Sequence, residues 1–377
     1  MSRRWRCSGS RLWVCVETGG TGTAVFVQAM REQLTAVTKQ AAEIVHGEET
    51  AAIAALRSKA GTVLADDESA GRLLGGPAAP TAHTWTGNEP PETILGLHTR
   101  AQVMQEASLV IDKPLMEVAL AQGYSNPEIL FGRGAWSDYL DARAFTRLHG
   151  DQDLSVDFVT DLHRKLAPSL DGQFTPKRRR GSWDRPVTDS EVAAIEANPH
   201  VKFLTSEIVP LKNWGIEYVT NGREAIEREL KATADWYNTA RQQPGYDPYH
   251  LAAELQHRIV SIHPFEDFNG RVSRLLMNWS LERDGLPPSV LEDFNADIGS
   301  SIPDWTDAVR GGSDLYAARA QRIAELGDSA DPVDAFGLRQ IQGQLEASGR
   351  SVRLVPGYAM DIQQCRALLA ELGAASG

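Results

Sequence analysis

One short stretch of the chain carries every side-chain type that phosphate chemistry requires. It reads His263-Pro264-Phe265-Glu266-Asp267-Phe268-Asn269-Gly270-Arg271-Val272-Ser273-Arg274. The imidazole of His263 can accept a proton near neutral pH. The carboxylate of Asp267 offers the hard oxygen that Mg²⁺ prefers beside phosphate oxygens. These residues predict phosphoryl or nucleotidyl transfer, with His263 as the base for an incoming hydroxyl group.

Two amphipathic helices are predicted to position these residues. Apolar residues recur at spacings of three and four before the stretch and again after it: Leu251, Leu255, Ile259 and Ile262, then Val272, Leu275, Leu276 and Trp279. The second helix begins near Asn269 and Gly270, where unpaired N–H groups and the helix dipole attract phosphate. Arg271 and Arg274 lie three residues apart, so they project from one face and can hold a polyphosphate.

An alternative interpretation gives these residues no chemistry. His263 is then a satisfied histidine at the end of a helix, and Arg271 and Arg274 pair with surface acids. For any one residue this is the better interpretation. It is weaker for the set, because all the groups of a phosphate-transfer site fall within twelve consecutive residues.

The composition excludes several classes of protein. The formal net charge is −12 and the pI is about 5.3, which argues against nucleic acid as a partner because phosphate backbones require a basic face. The three cysteines, Cys7, Cys15 and Cys365, are far apart and odd in number, which predicts neither disulfides nor a zinc site and favours a cytoplasmic location. No apolar run is long enough to cross a membrane. The sequence does not indicate the oligomeric state.

The chain divides into predicted regions of different character. Residues 1–30 are predicted to be a disordered leader or an overextended start. Residues 31–123 are helical, with a linker rich in glycine and proline near residues 75–91. Residues 124–325 form the main helical domain, and residues 326–377 form a small C-terminal extension. Short β-like pieces occur within residues 181–219. The basic run at residues 177–180 just before them is predicted to be a solvated basic loop, in preference to a contact for an acidic partner.

The stretch at residues 263–274 resembles the signature of the Fic family, His-Pro-Phe-x-Asp/Glu-Gly-Asn-Gly/Lys-Arg-x-x-Arg. The matching residues are His263, Pro264, Phe265, Asp267, Asn269, Gly270, Arg271 and Arg274. The resemblance covers about residues 153–322. It implies a mainly α fold: a Fic-type helical bundle with a small β-hairpin flap, here within residues 181–219, plus helical N- and C-terminal extensions.

The resemblance also implies a reaction and a role for each residue. The implied reaction moves AMP from ATP onto a Ser, Thr or Tyr hydroxyl of a target protein and releases pyrophosphate; relatives transfer UMP, phosphocholine or phosphate. The implied roles are general base for His263, Mg²⁺ ligand for Asp267, α- and β-phosphate binding for Asn269, Gly270 and Arg271, and terminal-phosphate binding for Arg274. A small-molecule acceptor is a further alternative.

Phe268 departs from the family pattern, which has glycine or alanine at this position. Glycine permits a left-handed backbone and close approach of phosphate. A phenylalanine with positive φ costs about 1 kcal/mol or more. Three outcomes are open: the ring turns outward and activity survives, the ring reshapes the site for another donor, or the domain is inactive and serves only in binding.

Inhibition is a second departure. Many Fic proteins carry a Ser/Thr-x-x-x-Glu-Gly/Asn helix whose glutamate pairs with the second arginine of the signature and blocks the ATP γ-phosphate. Residues 108–113 of this chain have the layout, but Asp112 is one methylene short and Lys113 replaces the small residue. Residues 220–225 have the spacing but lie inside the domain. Coincidence is the preferred interpretation of both, and autoinhibition is left open.

Overall fold

The computed structural model of the chain describes residues 90–131, 134–175, 179–183, 185–209, 212–293, 296–351 and 362–374. The predicted leader, residues 31–74 of the predicted helical N-terminal region and nearly all of the predicted linker lie outside these residues. Helices dominate the described part of the chain, and they accompany a small antiparallel sheet. The mainly helical class predicted from the sequence is therefore confirmed. No helix within the described ranges is both long and apolar enough to cross a membrane.

Six described helices precede the first strand. They are α1 (Pro91–Leu95), α2 (Arg100–Ala107), α3 (Lys113–Ala121), α4 (Pro127–Phe131), α5 (Ala135–Leu148) and α6 (Val156–Leu166). Thr99 and Gln102 close the start of α2 with reciprocal hydrogen bonds between each side chain and the other's backbone N–H. Helix α3 begins beside Pro114, where the sequence predicts a break, because proline fits the first turn of a helix but not its interior.

The remaining helices follow the first strand. They are α7 (Asp189–Ala197), α8 (Arg223–Arg241), α9 (Pro248–Ile262), α10 (Asn269–Arg283), α11 (Ala296–Gly299), α12 (Ile302–Leu326), α13 (Pro332–Ala335), α14 (Arg339–Ser348) and α15 (Ile362–Ala374). Helices α14 and α15 pack on α3 around the buried side chains of Val118, Leu345 and Leu368. The C-terminal residues thereby cover one face of an N-terminal helix.

Helix α9 leads into the twelve-residue stretch, and its sequence explains its bounds. The side chain of Asp247 accepts a hydrogen bond from the N–H of Tyr249 at 2.9 Å and so caps the start. Pro248 occupies the first turn, where its missing N–H costs nothing. Leu255 and Ile259 are among the buried residues of its apolar face, as the periodicity predicts.

Helix α10 leads out of the stretch and packs along α9. Its apolar residues Val272, Leu276 and Trp279 are buried in the main core. The helix ends at Arg283, and Gly285 follows with φ of +74°, a conformation that glycine adopts without strain. The predicted pair of helices around a polar loop is therefore confirmed.

The sheet contains the strands β1 (Arg179–Trp183), β2 (Val201–Thr205) and β3 (Trp214–Tyr218) in the order β1-β3-β2. Both pairings are antiparallel, and Tyr218 at the end of β3 lies between Arg179 and Val201. The sequence predicts β2 and β3, but its reading of residues 177–180 as a solvated basic loop is wrong for Arg179 and Arg180. Glu217 on β3 holds Arg180 in β1. The guanidinium of Arg180 donates a hydrogen bond to the carboxylate of Glu217 at 2.7 Å.

A buried ion pair ties the N-terminal helices to α10. Arg143 on α5 donates from Nε to the carboxylate of Glu106 on α2 at 2.6 Å. Its other nitrogens donate to Glu282 near the end of α10 at 2.8 and 3.0 Å. The Arg143 side chain is 2% exposed. Because Glu106 accepts one hydrogen bond and Glu282 accepts two from the same guanidinium, Arg143 fixes α10 relative to α2 and α5.

Candidate active site

His263 ends helix α9 in a left-handed conformation, with φ of 53° and ψ of 59°. Its Nδ1 lies 3.2 Å from the carbonyl oxygen of Val260. A carbonyl only accepts, so Nδ1 carries the proton and Nε2 is left with its lone pair. The ring stacks on Tyr218 of β3, with centroids 3.8 Å apart and planes 21° apart. The imidazole is thus fixed in orientation and in the tautomer that a general base requires.

Burial, together with the charge of Arg179, lowers the pKa of His263 to about 3. The imidazole is therefore neutral throughout the physiological pH range and ready to accept a proton. A base of such low pKa is weak. Negative phosphate groups beside the ring raise its pKa, so a bound polyphosphate strengthens the base.

The loop between α9 and α10 is anchored by its own interior residues. Phe265 is fully buried and stacks on His163 of α6 at 3.8 Å. The side-chain amide of Asn269 accepts from the N–H of Phe265 at 2.8 Å and donates to its carbonyl at 2.9 Å. The Asn269 side chain is therefore committed to the loop, which leaves its backbone in the first turn of α10 to face a phosphate.

Asp267 lies on the exposed side of the loop. Its Oδ1 accepts the N–H of Phe268 at 2.6 Å, and its main-chain carbonyl accepts a hydrogen bond from Nε2 of His163 at 3.2 Å. An exposed carboxylate fits Mg²⁺, which binds one or two carboxylates and takes its other ligands from phosphates and water. The described residues contain no cluster of three metal-ligating side chains. The fit of Asp267 to a metal brought in by a polyphosphate rests on this exposed carboxylate alone.

Phe268 adopts a left-handed backbone conformation, with φ of 64° and ψ of 9°. Its side chain is partly buried and packs against the main core. The guanidinium of Arg271 lies over its ring at 4.8 Å, and the ring of Phe131 lies 5.9 Å from the same guanidinium. The ring of Phe268 thus supports Arg271 by a cation–π contact.

Arg274 is buried and folds back along α10 towards its first turn. A Cβ atom built on Gly270 meets Nη1 of Arg274 at 3.1 Å, so this guanidinium lies against the glycine backbone. Any larger residue at Gly270 would displace it. The structure therefore places the second arginine of the stretch beside the helix start, where phosphate is predicted to bind.

Two carboxylates act on Arg274. Burial lowers the pKa of its guanidinium to about 10, and the charges of Asp112 and Asp297 oppose that shift. Asp112 directly precedes α3 and is partly exposed, whereas Asp297 in α11 is 4% exposed. Asp112 belongs to the 108–113 stretch considered for inhibition. Glu224 of the other stretch lies exposed in the first turn of α8.

Sequence reasoning missed three residues of this site, Arg179, Tyr218 and Asp297, and it dismissed Asp112 as a coincidence. The three missed residues reach the stretch from other parts of the chain, so spacing gives no signal for them. Tyr218 was recognised only as part of a β-like piece. For Asp112, the six-residue layout was a signal, but the sequence alone could not show that its charge meets Arg274.

The fold and the site together define a helical domain in which a polar loop and the start of a helix follow a neutral imidazole. The sequence model of the Fic/DOC family matches residues 153–281. These residues therefore form a domain of the Fic/DOC family.

Curated relatives match parts of this domain. A uridine 5'-monophosphate transferase of Xanthomonas campestris pv. campestris is 40% identical over 70 residues, which are 18% of this chain and 13% of the relative. Protein adenylyltransferase fic-1 of Caenorhabditis elegans is 40% identical over 68 residues, 18% of this chain and 13% of the relative. Its namesake in Caenorhabditis briggsae is 38% identical over 162 residues, 43% of this chain and 25% of the relative. The matches thus span at most a quarter of these three relatives.

Solved structures match this chain at low similarity. A Fic domain containing signalling protein from Bacteroides thetaiotaomicron is 18% identical, with 64% of this chain and 72% of that chain covered and a TM-score of 0.31. Fic-1 of C. elegans is 18% identical, with coverage of 50% and 53% and a TM-score of 0.30.

Proposed function

We propose that this chain is a magnesium-dependent transferase that moves AMP from ATP onto a Ser, Thr or Tyr hydroxyl of a protein. The observation that carries the proposal is the neutral imidazole of His263, fixed with Nε2 unprotonated, next to a helix start that presents Arg271 and Arg274. A base and a polyphosphate site in one corner are what nucleotidyl transfer requires.

The proposed reaction is a single displacement at the α-phosphorus. Nε2 of His263 takes the hydroxyl proton as the hydroxyl oxygen bonds to the α-phosphorus. The bond from that phosphorus to the oxygen bridging the α- and β-phosphates breaks, and pyrophosphate leaves with the electron pair. The N–H groups of Asn269 and Gly270 and the charges of Arg271 and Arg274 hold the phosphates. Magnesium at Asp267 neutralises charge on the triphosphate when it is bound.

Label position tests the reaction directly. Incubation with Mg²⁺ and ATP labelled at the α-phosphate is expected to label protein, whereas ATP labelled at the γ-phosphate is expected to leave it unlabelled. Chelation of Mg²⁺ is expected to abolish the label. Label from the γ-phosphate would instead show phosphate transfer, and no label from any donor or acceptor mixture would show that the domain is inactive.

A different nucleotide donor is the second candidate. It is favoured by Phe268, which replaces the small residue of the family pattern, and by the printed activity of the Xanthomonas relative. A panel of ATP, UTP, GTP and CDP-choline, each labelled in the transferred group, separates the donors. If UTP gives the strongest label, the chain transfers UMP instead of AMP.

Replacing Phe268 with glycine is expected to weaken ATP binding about two- to fivefold. The physical reason is loss of the ring beneath Arg271, since an exposed cation–π contact is worth about 0.5–1 kcal/mol. Calorimetric titration with ATP measures the effect, and Phe268→Tyr is the control that keeps the ring. Tighter binding by Phe268→Gly would show that the ring obstructs the nucleotide instead.

Replacing Asp112 with asparagine is expected to raise the rate of transfer about two- to tenfold at limiting ATP. Asp112 is partly exposed, so its charge competes for Arg274 with a phosphate that arrives from solvent. Coupling of this kind between charged neighbours is worth about 0.5–1.5 kcal/mol near a protein surface. Transfer is measured at ATP concentrations below the KM.

The matched control for Asp112 is Glu292→Gln. Glu292 is 59% exposed and pairs with Lys113, the residue next to Asp112, at 2.9 Å. The Glu292→Gln substitution removes one negative charge close to α3, as Asp112→Asn does. A rate increase in both variants would indicate a general change of surface charge, and no increase in Asp112→Asn would show that Asp112 does not compete with the nucleotide.

A further inference from the structure

Asp297 is a carboxylate held in the interior by two donors. It lies in the short helix α11 and is 4% exposed. Its Oδ2 accepts from Nε2 of Gln256 on α9 at 2.8 Å, and its Oδ1 accepts from the N–H of Ile298 at 2.7 Å. Both oxygens are therefore fixed in position, and the carboxylate cannot turn towards solvent without breaking these bonds.

The hydrogen bonds continue from Asp297 to the first turn of α10. Nε1 of Trp305 on α12 donates to Oε1 of Gln256 at 2.8 Å, which fixes the orientation of the amide because indole only donates. Nε2 of Gln256 lies 3.3 Å from Oγ of Ser273, which donates to the carbonyl of Gly270 at 2.9 Å. A single connected set of bonds thus links α9, α11 and α12 to the helix start where phosphate is proposed to bind.

The charge of Asp297 acts on both halves of the site. It raises the pKa of Arg274 against the effect of burial. It also raises the pKa of the hydroxyl of Tyr218, the residue that stacks on His263. Burial raises the pKa of Asp297 itself to about 6, whereas its two donors and the charge of Arg274 lower it, and Asp293 raises it. The carboxylate is therefore largely ionised at pH 7 and above.

We propose that Asp297 is a positioning residue: a fixed, buried counter-charge that holds Arg274 at the first turn of α10, in place for the terminal phosphate of the donor. The inference rests on the proposed function. Asp112 differs because it lies towards solvent, where an incoming phosphate can displace it. Asp297 is 4% exposed and is held by Gln256 and by the N–H of Ile298, so it stays in place when the nucleotide binds.

Burial of a carboxylate destabilises the fold relative to burial of an apolar residue of similar size, because the charge loses its hydration. The bonds to Gln256 and Ile298 offset part of that cost, and so they are also compatible with a role in folding alone. The two roles differ in what they predict for ligands. If Asp297 supports Arg274, its loss weakens binding only of a nucleotide that has a terminal phosphate. If Asp297 supports the fold alone, its loss weakens binding of every nucleotide equally.

The test compares ATP with AMP. Binding of each nucleotide to the full chain is measured by calorimetry in the presence of Mg²⁺, and the ratio of the two affinities is the readout. Asp297→Asn is expected to lower the preference for ATP over AMP about three- to tenfold, the range for a residue that acts through a neighbour. Asp297→Glu, which keeps the charge, is expected to restore part of the preference.

Two further variants complete the design. Asp307→Asn removes an equal charge from a side chain that is 76% exposed on α12, and it is expected to leave the ratio unchanged. Gln256→Met removes the amide that anchors Asp297 and is expected to lower the ratio in the same direction. It keeps the inference testable should Asp297→Asn fail to fold.

The outcomes separate this inference from the proposed function. A wild-type chain that binds neither nucleotide overturns the proposed function, and the role of Asp297 falls with it. A wild-type chain that prefers ATP, with the same preference in the folded Asp297→Asn or Gln256→Met variant, overturns only the role of Asp297. Equal loss of ATP and AMP binding in these variants assigns Asp297 to the fold and likewise overturns the inference.

Discussion

Replacement of His263 by alanine is expected to lower the rate of nucleotide transfer about 100- to 10,000-fold, the contribution of a positioned general base. The imidazole is held by the carbonyl of Val260 on one side and by the ring of Tyr218 on its face, so no other group replaces it at the same position. Single-turnover transfer from labelled ATP measures the effect on the chemical step.

Nucleotide binding supplies the internal control for this variant. The phosphates are proposed to contact the first turn of α10, so His263→Ala is expected to bind ATP as the wild-type chain does. His250→Ala is the matched control on the same helix, because its ring is 49% exposed near the start of α9. A His263→Ala variant that transfers at the wild-type rate would remove the imidazole from the mechanism.

Replacement of Arg143 by methionine is expected to lower the free energy of unfolding by about 3–5 kcal/mol. The substitution keeps an unbranched chain of similar length but leaves Glu106 buried without its cation and removes the two-point contact to Glu282. Removal of one partner from a buried pair costs more than the pair contributes, since the remaining charge stays desolvated. Urea unfolding followed by tryptophan fluorescence measures the loss.

Arg147→Met is the matched control for Arg143. Arg147 lies one turn later on α5 and donates to the same Glu282 at 2.8 Å, but its side chain is 49% exposed. Solvent screens an exposed pair, so the expected loss is below about 1 kcal/mol. Similar unfolding midpoints for the two variants would show that burial of Arg143 does not govern its contribution.

The two arginines of the stretch illustrate how far sequence reasoning reached. Spacing predicts that Arg271 and Arg274 project from one face at the start of α10. In the structure, Arg271 contacts the ring of Phe268 and Arg274 lies against Gly270, both at the start of this helix. Spacing does not predict what surrounds them. Phe131 beside Arg271, and Asp112 and Asp297 beside Arg274, come from other helices. The environment that sets the charge and position of each guanidinium is therefore a tertiary property.

Strand β1 shows a different kind of failure. A run of basic residues is typical of a solvated loop, and local propensity offers no reason to place Arg179 in a sheet. Pairing with β3 overrides that preference, because Glu217 compensates Arg180 directly across the pair. Once β1 is formed, the charge of Arg179 lowers the pKa of His263.

The sequence by itself determined the pair of helices α9 and α10, the polar loop between them and the residues that we propose to face phosphate. The helices and the loop depend on periodicity, capping and turn chemistry, which act between neighbours in the chain. Only the tertiary structure decided that Phe268 supports Arg271, that Tyr218 stacks on His263 and that the charge of the buried Asp297 acts on Arg274. These contacts join segments distant in sequence, and they form because packing and desolvation in the folded core select them.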